Sequence, residues 1–282
     1  MSNSLDAPID PSSVKRDGPI QVSNVMKDDF GFEIPQESVP LPSRGIIYPQ
    51  DGPLHGQETI DIRPMTAREE DILTSRAYIK SGTVLTKLLS SCIVNKSIKP
   101  DDLISGDRNA LLVSLRITGY GADYDVEVDC PECGTKSKQS FDLSSLQIKR
   151  LEVDPVIPGD NLFEIQLPVT KKSVRVKFLT GHDEREMMIT NERKKKSGMK
   201  VETAITDRLI RSIVSVDGIT DKNKLSFFVK NLPARDSLAL RRFLDKHEPG
   251  IIMKSWMNCP HCHEQSEVGL PMGASFFWPD TE

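Results

Sequence analysis

Cys130-Pro-Glu-Cys133-Gly134, met again as Cys259-Pro-His-Cys262-His263, is the pattern on which the reading of the fold turns. Two thiolates three positions apart on a tight turn can reach one ion, yet two ligands leave a tetrahedral structural site half filled. The second pair lies 129 positions on (259 − 130) and supplies the missing two. The expected site is one structural zinc ion held by Cys130, Cys133, Cys259 and Cys262, closed to water and therefore not catalytic. A redox Cys-x-x-Cys of the thioredoxin kind would sit at a helix start after a strand. Here Asp125 to Asp129, Lys138 to Phe141, Ile251 to Met257 and Glu267 to Leu270 flank both turns as extended segments. His261 and His263 could stand in for a cysteine, but four soft ligands suffice without them, so both read as neighbours of the site or as exposed. Cys92 falls on an apolar helical stripe and reads as a buried thiol.

Outward from the cysteines, the chain reads twice. In the first half Ile60-Asp-Ile62-Arg alternates as a strand, Thr66-Ala-Arg-Glu69 follows as a capping box, and a helix runs to Ser81-Gly82. In the second half Val174-Arg-Val176-Lys-Phe178 alternates likewise, Thr180 stands 114 positions after Thr66, and a helix with an acidic start at Asp183-Glu184 runs to Ser197-Gly198. Each stop is followed by a helical stripe: Val84, Leu85, Leu88, Leu89, Cys92 and Ile93 in one half, Ile205, Leu209, Ile210, Ile213 and Val214 in the other. A third helix begins near Asp107 and again near Asp236 before each cysteine pair. Extra residues in the second copy fall in its interior loops. The pattern predicts an internal duplication, and a fold of the α+β class: two homologous helical modules with short β-hairpins, joined by a shared, zinc-ribbon-like four-cysteine element.

Three segments follow. Residues 1–40, polar with several prolines and no sustained period, read as a disordered arm that could order in part, over Val22 to Phe32, against a partner. Residues 41–145 form the first repeat with the first knuckle. Residues 146–282 form a linker and the second repeat, with Phe163-Glu-Ile165-Gln-Leu167 entering a hairpin.

At 282 residues with 37% hydrophobic and 28% charged side chains, the chain can bury a real core. A net charge of −4 provides no global field for nucleic acid or an anionic membrane. No apolar run of about 18 residues and no secretory leader is visible, and five unpaired-looking cysteines suit a reducing compartment. Arg193-Lys-Lys-Lys196 is the one dense basic run and reads as a solvated helix end. Phe276-Phe-Trp278-Pro reads either as core packing or as an exposed docking tail. No Ser-His-Asp order, phosphate loop or paired catalytic carboxylates can be found, so no enzyme activity is expected.

One composite order is suggestive of a family. Leu41-Pro-Ser-Arg-Gly45-Ile-Ile-Tyr48-Pro, then Ile62 to Leu73, Ser90-Ser-Cys92-Ile93, Gly106-Asp-Arg108 and Tyr124 to Cys133 resemble the T4-type bacteriophage baseplate proteins of the tail hub. The resemblance covers about residues 41 to 141, and the second half shares it through the duplication. It implies a structural subunit or assembly factor of a contractile-tail baseplate hub, located in the virion after assembly in host cytoplasm. The implied partners are other hub proteins, tail tube proteins and the tape measure. A zinc-ribbon regulator that binds nucleic acid is the alternative, told apart by salt-dependent DNA or RNA binding.

Overall fold

The computed structural model describes residues 22–27, 33–196, 203–272 and 274–277. Its first half opens with an antiparallel sheet of β1 (Val22–Lys27), β2 (Glu33–Pro40) and β3 (Thr59–Ile62), in that order. This corrects the arm reading in part: residues 22–27 and 33–40 are strands, and Val39 is buried opposite Ile60. The remainder of residues 1–32 lies outside the described residues. Ile60 and Ile62 alternate inward with the pleat and anchor the sheet to the core.

The Glu69 carboxylate accepts from the Thr66 N–H at 2.9 Å and its hydroxyl at 2.7 Å, satisfying donors at the start of α1 (Ala67–Thr74). The helix expected to run on to Gly82 breaks at Ser75, which is extended, so that α2 (Arg76–Ser81) is a separate turn. Gly82 closes it at φ 67°, and a side chain there would collide with Met188. Then α3 (Val84–Cys92) buries Leu88, Leu89 and Cys92, and its successor Ile93 forms a single antiparallel bridge to Ile62. The longest buried element, α4 (Ser105–Tyr120), leads into the hairpin β4 (Asp123–Asp129) and β5 (Lys136–Asp142).

The second half follows the same order with additions. After β6 (Ile148–Lys149) come β7 (Phe163–Gln166) and β8 (Ser173–Val176), then α5 (Gly181–Lys196) and α6 (Ala204–Ser212). Ile213 and Val214, expected on the helical stripe, instead begin β9 (Ile213–Val216), which pairs with β8 to complete the sheet β7-β8-β9. Two consecutive β-branched residues favour that outcome. Between β9 and the next long helix lies a helix not anticipated, α7 (Lys222–Lys230), capped by Asp221 accepting from the Lys224 N–H at 2.8 Å. Last come α8 (Ala234–His247), β10 (Gly250–Ile251), the hairpin β11 (Lys254–Asn258) and β12 (Gln265–Gly269), and a 3₁₀ turn at Ala274–Phe277.

The halves share one hydrophobic cluster that runs from Val39 to Phe277. They are joined by the Ile104–Thr180 bridge and by α4 meeting β10 so closely that a Cβ on Gly106 would lie 1.8 Å from the Pro249 carbonyl oxygen. Phe276 is fully buried edge-on to Tyr124 at 5.2 Å, and Phe277 is buried beside it, so these two rings are core and not a free docking tail. Trp278 lies outside the described residues. No helix among the described residues is long and apolar enough to cross a membrane.

Candidate metal centre

Each cysteine pair sits at the tip of a hairpin, and the two tips are built alike. In the first, the Cys130 N–H donates to the Thr135 carbonyl at 3.0 Å and the Gly134 N–H to the Cys130 carbonyl at 2.9 Å. In the second, the Cys259 N–H donates to the Glu264 carbonyl at 3.0 Å and the His263 N–H to the Cys259 carbonyl at 2.9 Å. Gly134 at φ 70° and His263 at φ 60° turn the chain through the left-handed region at the same point. Glycine takes this conformation freely, whereas the histidine holds it at a cost of order 1 kcal/mol.

These turns bring all four sulfurs within 4.8 Å of one another. Across the halves, Cys130 and Cys262 Sγ are 3.8 Å apart, and Cys133 and Cys259 Sγ 3.7 Å. Both separations far exceed the roughly 2.05 Å of a disulfide, and all four thiols are free. A tetrahedron with metal–sulfur arms of about 2.3 Å has edges of about 3.8 Å, so the spacing fits a single ion bound by four thiolates. Cys130 and Cys259 are buried, Cys262 is half-buried and Cys133 is exposed, so each half contributes one covered and one accessible sulfur.

The backbone favours ionised sulfur. The Thr135 hydroxyl, 3.4 Å from Cys133 Sγ, and the Thr135 N–H hold the Cys133 thiol down at about 6. The N–H groups of Cys262 and His261 lower Cys259. At Cys262 the Glu264 N–H pulls the same way, but burial and the three neighbouring sulfurs outweigh it and push the thiol up to about 12. Four crowded sulfurs thus resist losing their last proton until a cation shares the charge. His261 and His263 are exposed, as expected of residues outside the ligand set.

Two buried carboxylates, noticed in the sequence only as helix starts, position the helices that carry the hairpins. Asp107 accepts from the Ser43 N–H at 2.9 Å, the Ser43 hydroxyl at 2.5 Å and the Tyr48 hydroxyl at 2.6 Å. Asp236, 129 positions later, accepts from the Val169 and Thr170 N–H groups at 2.7 and 3.0 Å. Each ties the first turn of its helix to a loop between two earlier strands, β2 to β3 in one case and β7 to β8 in the other. Arg116, buried near the end of α4, donates to the carbonyls of Gly121, Asp123 and Phe276, and so ties the start of the first hairpin to the C-terminal 3₁₀ turn. Cys92 is buried against Glu69, and burial pushes its thiol up to about 12, an inert core residue. Lys194, within the basic run, is ion-paired with Asp207 at 2.7 Å.

No curated protein and no solved structure matches the chain. A family model described as T4 bacteriophage base plate protein matches residues 48–278, a span that takes in both halves and all four clustered cysteines.

Proposed function

We propose, from the premise that this chain belongs to the T4 bacteriophage base plate protein family, that it serves without enzymatic activity as a structural subunit or assembly factor of the contractile-tail baseplate hub. The observation that carries this reading is the length of the family match, which runs through both halves. Its partners in that role are other hub proteins and tail tube proteins, with the tape measure a further contact, and its place is the virion tail after assembly in host cytoplasm.

Within that role we assign Cys130, Cys133, Cys259 and Cys262 to one structural zinc ion. Four thiolates at tetrahedral spacing, with backbone N–H groups aimed at sulfur, support zinc. A four-sulfur shell leaves no position for substrate, which supports a structural site. The internal duplication is supported by equivalences at fixed offsets. Asp107 and Asp236, Leu111 and Leu240, Leu115 and Leu244, and the two knuckles all stand 129 apart and are buried or hydrogen-bonded alike. The nucleic-acid-binding alternative gains nothing from the first hairpin, whose outer face carries Asp123, Asp125 and Asp142.

Complementation tests the reading: a phage lacking the gene is supplied with wild-type protein or with Cys133→Ser/Cys262→Ser, and baseplates are counted by electron microscopy. Wild type is expected to restore baseplates and the variant to restore few. Normal tails in the complete absence of the protein would overturn the hub role, and full rescue by the variant would overturn the need for zinc.

A further inference from the structure

One helix of the second half has no counterpart in the first. Where α3 is joined to α4 by residues 93–104 without a helix, β9 is joined to α8 through α7. Its inner residues Leu225 and Val229 are buried, and it packs on α6 and β9. Its outer side carries Phe227, 71% exposed, the most exposed large apolar side chain among the described residues. Asn223, Lys224 and Lys230 share that side at spacings of three and four residues, with Lys222 at the edge, all exposed. None of the three lysines is ion-paired among the described residues. Between α3 and α4 the first half has no such helix, and the face sets an exposed aromatic ring among cations.

The complementary surface is on the first half. In the β4–β5 ladder Asp123 lies directly opposite Asp142, with Asp125 next on the same exposed face. Like charges opposite each other weaken a strand pair, and no ion pair relieves these three among the described residues. The Arg116 guanidinium, which feels the charges of Asp125 and Asp123, gives its hydrogens to three carbonyl oxygens, and the Asp142 carboxylate accepts the Ser144 N–H and hydroxyl. Further along the face, Glu127 stands opposite Lys138 and Asp129 is paired with Lys136 at 3.9 Å, offering aliphatic stems beside the carboxylates.

We propose that the Phe227 face of α7 docks on the acidic outer face of the β4–β5 hairpin of a second copy of this chain. The lysines neutralise Asp123, Asp125 and Asp142, while the ring covers the stems of Glu127 and Lys138. The two surfaces differ, so the contact is head-to-tail, and repeated application closes into a ring or extends, depending on the rotation between copies.

Sedimentation velocity on the full-length, zinc-loaded protein tests this, over a concentration series at low and at high salt. Reversible association that weakens with salt is expected. Phe227→Asp, and separately Asp123→Lys/Asp125→Lys, should weaken it at least about tenfold with zinc content and melting temperature unchanged. A mixture of Lys224→Glu/Lys230→Glu with Asp123→Lys/Asp125→Lys should associate again, since each supplies the charge its neighbour now needs. A wild type monomeric at every concentration in low salt would overturn the proposal. So would association indifferent to all these substitutions, or failure of the reversed pair to re-associate.

Discussion

Glu69 and Asp183, 114 positions apart, are held by matching hydrogen bonds. Each accepts the N–H and the hydroxyl of the threonine three residues before it, Thr66 at 2.9 and 2.7 Å, Thr180 at 3.1 and 3.0 Å. Each is also ion-paired with the cation six residues before it, Arg63 at 2.8 Å and Lys177 at 2.7 Å. In both halves, then, one carboxylate locks the exit of a core strand to the first turn of the helix that follows.

Burial alone would raise the Glu69 carboxyl, but hydrogen bonds from Arg63, Ser91 and Thr66 outweigh it and bring it from the ordinary 4.5 to about 2. A depressed folded-state value stabilises the fold above the unfolded value, and that contribution is lost as pH falls from about 4.5 toward about 2. Glu69→Gln should cost about 2 kcal/mol at pH 7. Urea midpoints taken across pH should show the gap between the two proteins shrinking below about pH 4.5 and closing near pH 2; a constant gap would refute the role of the charge.

The metal centre predicts about one zinc per chain by elemental analysis. Because the site ties residues 129 apart, a strong chelator or Cys133→Ser should lower the melting temperature of the whole chain. Metal-free protein with four rapidly reacting thiols would rule the site out.

Phe276→Ala removes a buried ring packed on Tyr124, for a loss of about 3 to 5 kcal/mol. The loss is expected in thermal melts of the isolated protein, before any partner is added. A variant that melts like wild type would return the C-terminal aromatics to a docking role.

Gly106→Ala places a methyl against the Pro249 carbonyl oxygen, where α4 meets β10. The halves must separate slightly, costing about 1 to 3 kcal/mol. Gly134→Ala, whose Cβ would meet nothing within 4 Å, keeps the packing and strains only a left-handed turn at about 1 kcal/mol. If Gly134→Ala destabilises more in denaturant titrations, the tight contact between the halves is not what limits stability.

Local chemistry explains why the cysteine hairpins, the Thr66 box and the cores of α3, α4, α6 and α8 were legible in the sequence: each is set by spacing or capping within a few residues. The misreadings have longer causes. β2 contains two prolines and looks like an arm, and only its pairing with β3 makes it a strand. Ile213 and Val214 continue a helical stripe on paper, but the β8 edge takes them. The family resemblance, seen on residues of the first half, extends through the second by the match over 48–278. α7 did leave a signal, an aspartate cap at Asp221 with Leu225 and Val229 four apart. The roles of Asp107 and Asp236 left none, because their partners lie 59 to 67 residues away.

The cluster draws its sulfurs from hairpins 129 residues apart, and this sets a clock during synthesis. At about 5 to 20 residues per second, the ribosome needs roughly 6 to 26 s between delivering the first pair and the second. Throughout that interval the nascent chain carries Cys130 and Cys133 without the two thiols that cluster with them in the finished fold. Only a polypeptide read through to Cys262 can complete the cluster, so a prematurely terminated chain remains chemically distinguishable from a finished one.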